Sequence, residues 1–253
     1  MRLMSVVAVL LCTATVPASG QSSPTADNDA KLFGARESAE NVDLSPDGSR
    51  LVYVAPAPKS GTIALTVDLG TGQVAPFLRT GAGGEKLSWC GFVTNERLIC
   101  RYGLIDNDSG MLLPFYRLIT VNRDGSNIRQ LGQQASFYDA GLRQFDGNII
   151  DWLPGQGGSV LMAREFVPEA GKVDTRLVRR EEGLGVDRID TGTLKTTSVE
   201  APRRGVGSYM TDGRGNVRLM EMVEDKAGML TGRSKYFYRT EGSRDWKELT
   251  TYI

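Results

Sequence analysis

Residues 42–54 read VDLSPDGSRLVYV and contain two apolar runs on either side of a tight turn. Pro46 and the pair Asp47-Gly48 are typical of a β-turn, because proline presets its own backbone angle and glycine accepts a left-handed conformation. The flanking runs are rich in valine and leucine, which favour extended strands. The segment therefore predicts a β-hairpin.

Hairpins of this first type recur along the chain, and hairpins of a second type lie between them. The first type recurs at residues 89–100, 149–162 and 209–220. The second type occurs at residues 65–74, 118–126, 186–194 and 236–249. One hairpin of each type makes a four-stranded unit of roughly 40–50 residues, which is the length of a β-propeller blade.

The predicted fold is therefore all-β, a β-propeller of four-stranded blades over residues 31–253. Four blades are expected, in an incomplete propeller, and a short helix is expected at residues 31–40, before the first blade. A large β-sandwich or an unrelated β-rich domain is the alternative, because even spacing of strands and turns also suits those folds. The expected blades cover about residues 42–79, 87–131, 149–199 and 208–250.

The first twenty residues have the pattern of an export signal. Arg2 gives a basic start, residues 6–11 form an apolar run, and residues 16–20 (VPASG) are suited to cleavage after Ala18 or Gly20. The apolar run is too short to anchor the mature protein in a bilayer. We therefore expect a signal peptide at residues 1–20, a polar disordered spacer at 21–30, and a periplasmic or secreted protein without a membrane segment after cleavage.

Cys90 and Cys100 are the two cysteines that remain after the predicted signal is removed. If the chain turns at Asn95, position 92 faces 98 and Cys90 faces Cys100. Residues that oppose each other directly on antiparallel strands are close enough for a disulfide. We expect this pair to be bridged in an oxidising compartment. Two buried free thiols are the alternative, and a metal site is less favoured without histidine.

The charge balance argues against a polyanionic partner. The 253 residues contain 30 lysines and arginines and 30 aspartates and glutamates, so the formal net charge is zero. No long basic run is interleaved with aromatic residues, and we therefore predict no nucleic-acid binding. No cofactor or metal site is predicted either, since the acidic loop at residues 106–110 does not have the spacing of a calcium-binding loop.

The motif LSPDG at residues 44–48, followed by LVYV at 51–54, resembles the blade motif of two groups of propellers. One is the propeller domain of the prolyl oligopeptidase family, including its dipeptidyl-peptidase and acylaminoacyl-peptidase-like branches. The other is the periplasmic TolB-type propeller. Residues 32–36 (LFGAR), and Trp89-Cys90 with residues 97–101 (RLICR), look like the start and the second blade of exported peptidases of the first family.

The peptidase resemblance implies an α/β-hydrolase domain that carries a Ser–Asp–His triad and normally belongs to the same polypeptide. This sequence has no histidine and no G-x-S-x-G segment, so no catalytic residue is predicted within it. The resemblance implies a propeller that admits short peptides to the catalytic chamber. The alternatives are a stand-alone TolB-like propeller that binds a periplasmic protein, and a nonfunctional truncated fragment.

Two further groups of residues are candidates for binding. The run at residues 179–182 (RREE) could hold the free amino group of a peptide through its glutamates, but a solvated loop is the favoured interpretation. Trp89, Trp152 and Trp246 recur within the blades, so packing is expected of each rather than ligand stacking.

Overall fold

The structure is a computed structural model that describes residues 24–34, 37–81, 83–107, 110–171 and 178–252. The predicted signal peptide, residues 1–20, lies outside these ranges, as do two residues of the acidic loop at 106–110. The chain divides into two units, residues 1–36 and 37–253. In the described part of the chain, no helix is long and apolar enough to span a membrane.

A single α-helix, α1 (Pro24–Phe33), is present among the described residues of the first unit. Proline is well tolerated in the first turn of a helix, and Gly34 follows the last helical residue, where glycine commonly ends a helix. The expected helix at 31–40 is thus wrong in position, because β1 already begins at Glu40. The helix includes residues 24–30 of the predicted polar spacer, although Thr25, Asp27 and Asn28 have low helix propensity.

The second unit consists, in its described part, of four antiparallel sheets with four strands each, and this confirms the all-β fold of propeller-like blades. Each sheet is built from consecutive strands that neighbour one another in chain order. Blade 1 contains β1 (Glu40–Leu44), β2 (Arg50–Pro56), β3 (Thr62–Asp68) and β4 (Val74–Arg79), and blade 2 contains β5 (Lys86–Phe92), β6 (Arg97–Asp106), β7 (Leu113–Asn122) and β8 (Arg129–Gln130). Blade 3 contains β9 (Asn148–Asp151), β10 (Ser159–Phe166), β11 (Gly183–Asp190) and β12 (Thr196–Arg203), and blade 4 contains β13 (Val206–Thr211), β14 (Val217–Lys226), β15 (Met229–Tyr238) and β16 (Lys247–Tyr252).

The turn between β1 and β2 shows how the sequence motif forms a hairpin. Asp47 Oδ1 accepts hydrogen bonds from the Ser45 hydroxyl at 2.7 Å and from the Ser49 backbone N–H at 2.9 Å. Gly48 has a φ of 70°, which a glycine adopts without a steric penalty. The motif therefore closes the hairpin through its own side chain and places the two apolar runs side by side.

Three apolar clusters join the blades in sequence. Alternation along the strands turns one face of each sheet toward the next blade, so that Val52 and Val54 of β2 are fully buried. The cluster between blades 1 and 2 includes Val54, Ala64, Leu87 and Leu98. The cluster between blades 2 and 3 includes Ile99, Leu118, Val160 and Met162. The cluster between blades 3 and 4 includes Leu161, Val186, Tyr209 and Met220.

The other face of blade 1 is also apolar. Leu51 pairs with Val67, and Tyr53 pairs with Leu65, on the side of the sheet opposite the buried valines. All four side chains are partly exposed. In the described residues, the extensive contacts of blade 1 with another blade are those of β1, β2 and β3 with β5 of blade 2.

Candidate functional site

The first strands of neighbouring blades form a groove at their inner edges. Strand β1 lies against β5, and β9 lies near β13, so these strands face one another across the blades. A groove of about 380 Å³ opens between blades 1 and 2 and reaches the start of blade 3. We call it the inner-edge groove, and it is lined by residues 41–44, residues 89–92 and Trp152.

Side chains of β1 hold the first strands of blades 1 and 2 together. Asn41 donates a hydrogen bond from Nδ2 to the Ser88 carbonyl at 2.7 Å. The Asp43 carboxylate accepts the backbone N–H of Phe92 at 2.8 Å. The Asp43 carboxylate is therefore already hydrogen-bonded to a backbone amide of the groove wall, and its role is to position β1 against β5.

The floor of the groove is aromatic. The rings of Trp89 and Trp152 meet edge to face, with their centroids 6.0 Å apart. A Cβ at Gly91 would lie 2.7 Å from the Trp152 ring, so glycine is required there for the close approach of the two blades. The Arg101 guanidinium lies over the Trp89 ring at 5.9 Å and over the Tyr116 ring at 5.1 Å. The arrangement offers flat apolar surface beside a cation.

The structure contains the Cys90–Cys100 disulfide in the wall of this groove. The two sulfurs are 2.02 Å apart and the two Cα atoms are 4.1 Å apart. Cys90 faces Cys100 and Phe92 faces Leu98, which agrees with the register expected from a turn at Asn95. The bridge joins β5 to β6, and both cysteines are buried in the cluster between blades 1 and 2.

The other sequence candidates have structural roles. Trp89 and Trp152 pack on the cluster between blades 2 and 3, and Trp246 packs on the cluster between blades 3 and 4, as the packing interpretation predicts. Glu182 pairs with Arg204, and the segment 178–182 has no regular structure, as expected of a loop. No sequence pattern indicates that Trp89 and Trp152 also border a groove, because their approach depends on the stacking of two blades.

The residues that line the inner-edge groove are apolar or aromatic apart from Asn41 and Asp43, which both bond to blade 2. The chain has no histidine, and in the part that the structure describes no three His, Cys, Asp or Glu residues gather as a metal site would require. The absence of catalytic and cofactor-binding residues stays a prediction from the sequence. The inner-edge groove is suited to an extended chain, which would lie on the tryptophans and bond with the exposed edge of β1.

Comparison with known proteins gives partial matches to solved structures only. No protein-family model and no curated protein matches the chain. A putative dipeptidyl aminopeptidase IV from Bacteroides ovatus superposes over 78% of the chain and 31% of its own length, with a TM-score of 0.48 and 10% identity. An oligogalacturonate lyase in complex with manganese matches over 86% and 55%, with a TM-score of 0.44 and 14% identity.

TolB from Acinetobacter baumannii matches over 80% of the chain and 41% of its own length, with a TM-score of 0.38 and 12% identity. The chain therefore spans about half of these solved structures or less. At identities of 10–14% and TM-scores below 0.5, these matches assign no function to this chain.

Proposed function

We propose that these four blades are the substrate-gating part of a periplasmic or secreted serine peptidase of the prolyl oligopeptidase family, which acts on short peptides. The inner-edge groove carries the proposal. Its volume of about 380 Å³ is that of a site for a small ligand or a short peptide, and far below the size of a folded protein. Trp89 and Trp152 supply apolar contacts that do not depend on one particular peptide sequence.

The chemistry in this proposal comes from an α/β-hydrolase domain in the same polypeptide. The chain has no histidine, and hydrolysis by a Ser–Asp–His triad needs one as the general base. The partly exposed apolar face of blade 1, around Leu51, Tyr53 and Leu65, supports a larger assembly, because such a face is stable when another element covers it. The resemblance of the LSPDG motif at 44–48 supports the family.

The first test is the coding sequence beyond codon 253. The proposal expects a G-x-S-x-G segment followed by an aspartate and a histidine in the same frame, and peptidase activity of the full-length product on short peptides. A stop codon directly after codon 253 would refute the peptidase function. A stable product that then captures a periplasmic protein would support the TolB-like alternative, and an aggregated product would support a nonfunctional fragment.

The second test concerns gating by the inner-edge groove. Val42 lies in the groove and is 59% exposed, so Val42→Trp fills space without disturbing the core. In the full-length enzyme we expect kcat/KM for a short peptide to fall by about tenfold, because the peptide is misplaced or excluded. Val74→Trp is the matched control, since Val74 is 53% exposed on β4, outside the groove. Equal activity of the two variants would show that substrate does not use this groove.

Export is tested separately by the mature N-terminus. Cleavage after Ala18 gives a protein that begins at Ser19, and cleavage after Gly20 gives one that begins at Gln21. Mass spectrometry of the protein from a periplasmic or culture fraction distinguishes the two. Recovery of the uncleaved chain from the cytoplasm alone would contradict the proposed location.

A further inference from the structure

A second groove, of about 610 Å³, lies between blades 3 and 4 and away from the inner-edge groove. One wall is β12, the last strand of blade 3. The other wall consists of the turn between β13 and β14 and the turn between β15 and β16. Four arginines line it, so we call it the arginine groove: Arg203, Arg218, Arg239 and Arg244.

Two of these arginines are neutralised by carboxylates. Arg218 Nε lies 3.0 Å from Asp212 Oδ2. Arg239 forms an ion pair with Glu200, whose side chain is 5% exposed, and donates from Nε to the Val217 carbonyl at 2.8 Å. These pairs leave the positive charge of the other two arginines without compensation.

Arg203 and Arg244 are exposed, and within the described part of the chain neither guanidinium has a hydrogen bond or an ion pair. Arg203 ends β12 and Arg244 lies in the turn between β15 and β16, so the two cations come from opposite walls of one groove. Like charges repel when they share a site, and a bound anion removes that repulsion. A guanidinium also presents N–H donors in a planar fork that matches carboxylate and phosphate oxygens.

The base of the groove is held in place. Arg239 is fixed between Glu200 and the Trp246 ring, with its guanidinium 4.6 Å from the ring centroid. The indole N–H of Trp246 is buried and has no acceptor among the described residues. Because this nitrogen is closed off from solvent, it lies behind the surface of the groove and is not one of the donors offered to a ligand.

We propose that the arginine groove binds a small dianion, a dicarboxylate or a phosphate-bearing molecule, between Arg203 and Arg244. The ligand has two negative charges because two cations are uncompensated. The hydroxyls of Ser198 and Ser243, which also line the groove, are available as further donors to its oxygens. The site does not depend on the proposed peptidase function, since it lies on other elements and its ligand is not a substrate.

The test is calorimetric titration of the full-length protein at low ionic strength, where exposed charges are least screened. The probes are succinate, inorganic phosphate and the uncharged analogue succinamide. We expect saturable binding of succinate, of phosphate or of both, and none of succinamide. Binding of succinate alone identifies a carboxylate ligand, and binding of phosphate alone identifies a phosphate ligand.

The variant R203Q/R244Q removes both uncompensated charges. We expect it to lower the affinity for the dianion by about tenfold or more, because charge-assisted hydrogen bonds from both walls are lost. The matched control is R180Q/R233Q, which removes two exposed arginines whose side chains form no ion pair with a described residue and which lie outside the groove. The control is expected to change the affinity by less than about twofold.

The proposal is overturned if none of the charged probes binds, or if both double variants weaken binding equally, which would indicate attraction by net charge only. Thermal unfolding without ligand checks folding, and all four side chains are exposed, so unfolding temperatures close to that of the unmodified protein are expected. The binding measurement needs no peptidase activity, so its failure and a failure of the proposed function are distinguishable.

Discussion

Breaking the Cys90–Cys100 bridge removes a crosslink from the wall of the inner-edge groove. The two cysteines are 10 positions apart in the chain, so reduction releases a short loop in the unfolded state. In the chain-entropy description, closing a loop of this length contributes about 2.7 kcal/mol at 25 °C. We therefore expect the free energy of unfolding to fall by about 2–3 kcal/mol when the bridge is opened.

Urea titration of the oxidised and the reduced protein measures this difference. With a slope of about 2–3 kcal/mol per molar urea, the midpoint is expected about 1 M lower after reduction. The double variant C90A/C100A is the control for effects of the reductant, because its midpoint must not change when reductant is added. Both cysteines are at most 2% exposed, so the variant also loses buried contacts and is expected to be slightly less stable than the reduced protein.

Two outcomes would refute this reasoning. A midpoint that is the same with and without reductant would mean that the hairpin remains closed in the unfolded chain and that the bridge adds nothing. Two titratable thiols in protein purified from an oxidising compartment without reductant would mean that the pairing does not form.

Three further perturbations test the contacts between and within the blades. Arg97 is 6% exposed and donates two hydrogen bonds, of 3.1 and 2.9 Å, to one carbonyl of blade 3. Arg97→Met should therefore lower the free energy of unfolding, measured by urea titration, by about 2–4 kcal/mol. A loss below about 1 kcal/mol would contradict this role. Gly147→Ala would place a Cβ 1.9 Å from a backbone oxygen of β10 at a φ of 109°, and should lower the free energy of unfolding by more than about 2 kcal/mol. Gly155→Ala, at a φ of 76° but in open space, should lower it by about 1 kcal/mol. Equal losses in the two variants would disprove the clash at Gly147. Hydrogen bonds, above all that from the Ser45 hydroxyl, lower the pKa of Asp47 from 3.8 to about 2. The stabilisation that the Asp47 carboxylate gives the folded state is therefore complete above pH 3.8 and is lost as the pH falls through about 2. An NMR titration of Asp47 with a midpoint near 3.8 would contradict this.

Local chemistry explains why the hairpins could be read from the sequence. The turn at residues 45–49 closes through contacts within five residues, and the apolar runs beside it alternate in the manner of strands. The same reasoning places Cys90 opposite Cys100, since a tight turn fixes the register of both strands. The four sheets begin and end within a few residues of the expected blades, apart from β12, which continues to Arg203.

The helix before the first blade was less accessible to sequence reasoning. Its residues are polar, and their composition resembles that of an irregular spacer. The start at Pro24 and the end before Gly34 are local signals, but both are also common in loops. The polar composition of residues 24–30 therefore does not indicate the helix that the structure contains there.

The two grooves depend on residues that are far apart in the chain. Arg97 reaches the Thr191 carbonyl across 94 positions, and Arg203 and Arg244 reach one groove from two blades. The alternation of apolar and polar residues along a strand does not predict such contacts, because it indicates which face of the strand is apolar and not which blade covers that face. The charges of the arginine groove are likewise invisible in a chain whose formal net charge is zero.

The sequence by itself determined the strands, the repeated four-stranded unit and the lack of a histidine base, since these follow from local turns, alternation and composition. Only the tertiary structure decided which sheet faces are buried, where the tryptophans meet, and which arginines remain without a carboxylate. The physical reason is that stacking of blades brings together side chains whose distances no local interaction fixes.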